Sequence, residues 1–70
     1  MVQDYRKIFA TNVKKYRLSV GISKEALSLT LGFDNSYISK VENERVNITI
    51  DRIAKIADYF AIDIKELFLK

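Results

Sequence analysis

The chain has no cysteine, no histidine and no proline, and only two glycines among its 70 residues. Without cysteine no disulfide can form, and without cysteine and histidine the usual structural zinc sites are excluded. The same two absences remove nucleophilic catalysis of the Cys–His or Ser–His kind. Carboxylate pairs such as Glu42/Glu44 and Asp51/Asp58 carry no sign of a pocket in so thin a chain and read as caps or surface charge. The expectation is a non-enzyme with no cofactor and no metal. Long apolar runs are also missing. The longest, such as "YFAI", hold four residues, too few to span a bilayer. The opening "MVQDYRKIFATNVKK" lacks the continuous apolar segment of a signal peptide. A cytoplasmic protein with no membrane partner and no small-molecule ligand is expected.

What is present fits one domain, residues 1–70. A hydrophobic fraction of 49% is ordinary for a globular chain. A core this small rarely supplies more than ~3–5 kcal/mol, so a second subunit is the staple still open to it. Net charge is +3, and the excess is unevenly placed. Residues 1–45 hold eight Lys/Arg against five Asp/Glu, while residues 46–70 hold four of each. A cationic surface on the first two thirds suits a polyanionic partner.

Apolar residues Tyr5, Phe9, Val13, Tyr16 and Val20 recur at helical spacing until Gly21, which predicts a helix over 4–20. Ser23 caps "KEALSLTL", with Glu25 in the first turn and Leu27 and Leu31 on one face, a helix over 24–31 ended by Gly32. Asp34 can cap a third helix, "NSYISKVEN", over 35–43. "RVNIT" is short, has no partner strand, and reads as a loop. Thr49 caps a fourth helix over 50–60, where Ile53, Ile56, Ala57 and Phe60 form one apolar stripe. Asp63 and Glu66 have the spacing of a capping box at the start of a fifth, over 64–69. Alternating strand patterns, repeats and low-complexity segments are absent. The fold class expected is all-α, with five helices.

The second and third helices are short and joined by a three-residue turn that begins with Gly32. That is a helix-turn-helix arrangement, whose second helix enters the DNA major groove. At ~3.6 residues per turn, Ile38 and Val41 define the buried side of the third helix. Ser36, Ser39, Lys40 and Asn43 fall opposite, Asn35 lies at the exposed N-terminal end, and Tyr37 and Glu42 flank the two edges. Amide, hydroxyl and ammonium groups supply the donors and acceptors that base edges and phosphates require.

From about Phe9 to Phe68 the chain resembles the lambda-repressor-like, Cro-type helix-turn-helix family, also called the xenobiotic-response-element family. The resemblance rests on "R-x3-GIS-K-E-x-L" from Arg17 to Leu27 and "LG-F-D-x-SYIS-x-VE" from Leu31 to Glu42. It continues in "N-I-T-I-x-x-I-x-K-IA" from Asn47 to Ala57 and in "D-I-K-E-L-F". The run "LGFDNSYISKVEN…NITI" also looks like the small controller proteins of restriction–modification systems. The resemblance implies a homodimeric regulator of transcription that binds a pseudo-palindromic operator in double-stranded DNA. It implies phosphate contacts from Lys24, Asn43, Arg45 and Asn47. Base-edge contacts are implied for Asn35, Ser36, Ser39 and Lys40, with Tyr37 beside them on a thymine methyl or the adjacent backbone. Arg17 and Glu42 match a structural ion pair tying the first helix to the end of the third. The chain departs from the family at Ser28, where small Ala is common, and at Glu44 and Ala61, where Gly is common. Ser28 is small enough for close helix packing, and Glu44 sets a negative charge near the expected DNA backbone.

Beyond the binding unit only "DIKELFLK" remains to make a dimer contact. Ile64, Phe68 and Leu69, with Tyr59, are the candidates, because a terminal helix with spare apolar groups needs cover. Ile64 and Phe68 would alternatively finish the core of a single chain. A helical protein-interaction module, of antitoxin or adaptor type, is the competing function. It is disfavoured because protein-binding surfaces prefer aromatic and apolar anchors to a polar face.

Overall fold

The computed structural model describes residues 4–70; residues 1–3 of the expected domain lie outside the described residues. The described residues form α1 (Tyr5–Val20), α2 (Lys24–Thr30), α3 (Tyr37–Glu42) and α4 (Ile50–Phe60), followed by a 3₁₀ segment, Ile64–Phe68. There is no strand among them.

The helix starts follow from side-chain caps. Asp4 accepts from the Lys7 amide, Ser23 from Ala26 and Thr49 from Arg52, so three helices begin with an orphan N–H satisfied. The core is built where the predicted stripes meet. Phe9 and Val13 of α1, Leu27 of α2, Ile38 and Val41 of α3, and Ile56 and Ala57 of α4 are buried around Phe33 and Leu67. Aromatic pairs close its edges: Phe9 stacks on Phe68 with ring centres 5.3 Å apart, and Tyr16 lies 5.6 Å from Phe60.

All four helices stop the same way. A residue just past the end, immediately after α1 and α4 and two residues after α2 and α3, turns left-handed: Gly21 at φ 81°, Gly32 at φ 78°, Glu44 at φ 60° and Ala61 at φ 57°. In each case its amide and the next one fold back onto the last turn. The amides of Gly21 and Ile22 reach Leu18 O and Arg17 O; those of Gly32 and Phe33 reach Leu29 O and Ser28 O. Glu44 and Arg45 reach Val41 O and Lys40 O, and Ala61 and Ile62 reach Asp58 O and Ala57 O. These are four Schellman caps.

Two expectations are corrected. There are four α-helices, not five: Ile64–Phe68 winds as a 3₁₀ helix, and Asp63 makes no side-chain cap. The Glu66 amide bonds instead to the Asp63 carbonyl at 3.0 Å. At five residues the segment has little helical cooperativity with which to resist a competing pull. Asn12 also intervenes. Its buried amide donates to Leu67 O at 2.9 Å and to Leu69 O at 2.7 Å, which holds the backbone in a path leading out of helix. The other correction is that α3 starts at Tyr37, not at residue 35. Asp34 caps no helix; its carboxylate takes the Ser36 hydroxyl at 2.6 Å and the Ser36 amide at 3.3 Å, forming a side-chain turn ahead of the helix.

Candidate nucleic-acid interface

Helix α3 is fixed from behind by α2. Ile38 is fully buried and Val41 nearly so, against Leu27. Ser28, also fully buried, bridges the two helices: its hydroxyl donates to Lys24 O at 2.8 Å and accepts from the Ile38 amide at 2.9 Å. Ser36, the residue at the N-cap of α3, provides no side-chain cap. Ser28 therefore caps α3 from the neighbouring helix. That role goes beyond the small size read from the sequence, and the cue was a hydroxyl beside Leu27 on the buried face of α2.

The far end of α3 is fixed by α1. Arg17 Nε and Nη2 donate to Glu42 Oε2 and Oε1 at 2.7 and 3.2 Å, and Nη1 donates to Ile22 O at 3.0 Å. Both side chains are nearly buried, 9% and 7% exposed. This two-point fork is the strong form of an ion pair.

With both ends held, the candidate contact residues separate into groups. Lys40 on α3 and Asn43 at its C-cap are exposed, as is Asn35 in the preceding turn; Ser39 is half-buried. Ser36 is half-buried with its hydroxyl proton committed to Asp34. That hydrogen bond, joined by the Ser36 amide and the charge of Lys40, holds the Asp34 carboxyl below its ordinary pKa. Lys24 stands exposed at the first position of α2, and Arg45 and Asn47 stand exposed after α3. Tyr37 does not stand free. Its ring lies 4.8 Å from that of Phe33 and 4.7 Å from the Arg52 guanidinium.

Arg52 and Lys55, both on α4, were not among the residues singled out from sequence. Lys55 donates to Leu31 O at 3.1 Å and lies 5.5 Å from the Phe33 ring centre. Their only signal was a pair of cations three apart, flanking the apolar stripe of α4.

The dimer candidates also divide. Ile64 is 39% exposed and Leu69 53%. Tyr59 is half-buried, edge-on to Phe60 at 5.3 Å. Phe68 is half-buried, with Phe9 stacked on it and Tyr5 edge-on at 6.4 Å, so its ring is taken up by its own chain. Among the described residues no helix is long and apolar enough to cross a membrane.

The sequence model of the helix-turn-helix family matches residues 13–67. A hypothetical transcription factor of Neisseria meningitidis serogroup B (strain ATCC BAA-335 / MC58) is 36% identical over 67 residues, 96% of this chain. This chain spans 63% of that protein's length. Control protein C.BamHI of Bacillus amyloliquefaciens is 31% identical over 68 residues, covering 96% of this chain and 84% of its own. The crystal structure of the restriction–modification controller protein C.AhdI from Aeromonas hydrophila superposes with a TM-score of 0.82 at 32% identity, over 90% of this chain and 96% of that one. The chain belongs to the helix-turn-helix family, alongside transcription factors and restriction–modification control proteins.

Proposed function

We propose that this chain is a sequence-specific regulator of transcription of the restriction–modification controller kind, binding a pseudo-palindromic site in double-stranded DNA as a homodimer. The observation that carries this reading is the two-sidedness of α3. Ile38 and Val41 are buried under α2, while Lys40 and, at the helix's two ends, Asn35 and Asn43 are exposed. Lys24 and Arg45 bracket that surface with cations. Groove-facing amides and an ammonium supply base contacts, and flanking cations supply phosphate contacts. Ile64 and Leu69 offer the apolar surface for a second copy. No catalytic role is assigned.

Selection from a randomised duplex pool tests the reading. An inverted repeat should be enriched, its half-sites about one helical turn, ~34 Å, apart. Lys40→Ala should relax the preference at one position of each half-site, where a good bidentate contact discriminates by ~1–3 kcal/mol. A pool that remains unenriched rules the function out; a single half-site rules out the dimer.

A further inference from the structure

We propose that Arg52 is an additional phosphate contact of this interface, and that Tyr37 serves as its pedestal instead of reading a base. The inference rests on the DNA-binding function proposed above.

The Arg52 guanidinium lies 4.7 Å from the Tyr37 ring centre and 5.1 Å from that of Phe33. The two rings are 4.8 Å apart and inclined at 55°, so they form a corner into which the cation fits. Arg52 is exposed. Among the described residues it has no carboxylate within 4.0 Å, the Arg17–Glu42 pair being the ion pair found there. Its neighbour Lys55 is differently employed, with its ammonium on the Leu31 carbonyl. An arginine laid against aromatic rings keeps its N–H donors at the edge, pointing away from the stack. A planar fork held this way matches two oxygens of a phosphate and loses little side-chain entropy on binding.

Position gives the fork its target. Tyr37 opens α3, so Arg52 sits beside the N-terminal end of that helix, the end where recognition helices meet bases. The phosphate backbone lining the groove is the anion within reach of such a cation. The stack also changes the reading of Tyr37. Phe33 and Arg52 occupy one side of the Tyr37 ring and hold it in place, and its contribution is to aim a cation contributed by α4.

The probe is a mixed-sequence duplex about 30 base pairs long, three helical turns, titrated by fluorescence anisotropy across a salt series. A phosphate contact acts on any sequence, so no operator is needed. Arg52→Met should weaken binding about tenfold and lower the salt slope by ~0.9. Arg52→Lys should keep the slope and lose part of the affinity. Tyr37→Leu should weaken binding in the wild-type background and add nothing on top of Arg52→Met. If Arg52→Met loses its helical circular dichroism, Arg52→Gln, whose planar amide still lies on the rings, carries the same test. A slope unchanged by loss of Arg52, with Lys24→Ala and Arg45→Ala each lowering it, would show that the stack only braces α4 against the turn. A wild-type protein that binds no duplex at low salt overturns the proposed function together with this inference.

Discussion

The first two helices and the last two end in one backbone geometry but with different residues. α1 and α2 close on Gly21 and Gly32, whereas α3 and α4 close on Glu44 and Ala61, all four left-handed. A Cβ in that conformation costs roughly 1–2 kcal/mol. The strain therefore belongs to the second half of the chain, and what holds that half in place lies elsewhere. Glu42, two residues before strained Glu44, is gripped by Arg17, which at the same time bonds Ile22 O in the glycine-closed cap of α1. The unstrained end thus fastens the strained one. The residues that follow the caps differ too. Ile22, Phe33 and Ile62 turn back onto the core, but Arg45 is exposed. The cap of α3 is the one that presents a cation where the other three present a hydrophobe. Strain at Glu44 thus accompanies an exposed cation, Arg45, which the proposed function assigns to phosphate contact.

Cutting the fastening should have the largest effect. Arg17→Met leaves Glu42 nearly buried and uncompensated, so stability should fall by ~3–5 kcal/mol. In a double-mutant cycle with Glu42→Gln, most of that loss should appear as interaction energy. Additive losses in thermal melts would mean that the two halves are not coupled through this pair. Ser28→Ala comes next. It leaves the buried Ile38 amide without an acceptor, at a cost of ~1–3 kcal/mol, and amide hydrogen exchange should quicken at Ile38 before it does in α1. Unchanged exchange there would show that α3 needs no cap from α2. Exchanging the residues at the helix ends has the smallest effect and tests the comparison most directly. Gly21→Ala should cost ~1–2 kcal/mol, and since nothing lies within 4 Å of the added Cβ, the cost reports on conformation alone. Glu44→Gly and Ala61→Gly should each gain about 0.5–1 kcal/mol, the strain relieved less the entropy that glycine adds to the unfolded chain. Lower melting temperatures for both glycine variants would show that the left-handed ends of α3 and α4 carry no strain to release.

Much of this architecture was readable from sequence because it depends on local rules. Periodicity located α1, α2 and α4 to within a residue, and Ser23 and Thr49 cap as their side chains require. The strain at Glu44 and Ala61 was visible only as a departure from the family's glycines, at the two positions where φ turned out positive in a non-glycine residue. What stayed hidden depends on partners distant in sequence. Ser28 bonds a backbone amide ten residues away, and Asn12 bonds carbonyls 55 and 57 residues away. No local pattern announces such bonds. The site divides in the same way. Lys40 could be placed by helical phase, but the capture of Tyr37 by Arg52 joins α3 to α4 across a loop whose path the sequence does not specify. The 3₁₀ segment was misread because the Asp63/Glu66 spacing also suits a capping box, and only the pull of Asn12 on the Leu67 and Leu69 carbonyls decides between them.

That pull from Asn12 has a bearing on synthesis. A ribosome delivers α1 first, at about 5–20 residues per second, so the helix is exposed for several seconds before residues 67–69 emerge. Through that interval the Asn12 amide has no carbonyl to bind, and Phe9 lacks the ring that later stacks upon it. α1 can wind in under a microsecond, but it cannot be sealed until those residues are free of the exit tunnel. The closing step of folding therefore waits for residues 67–69, and it joins the two ends of the described chain.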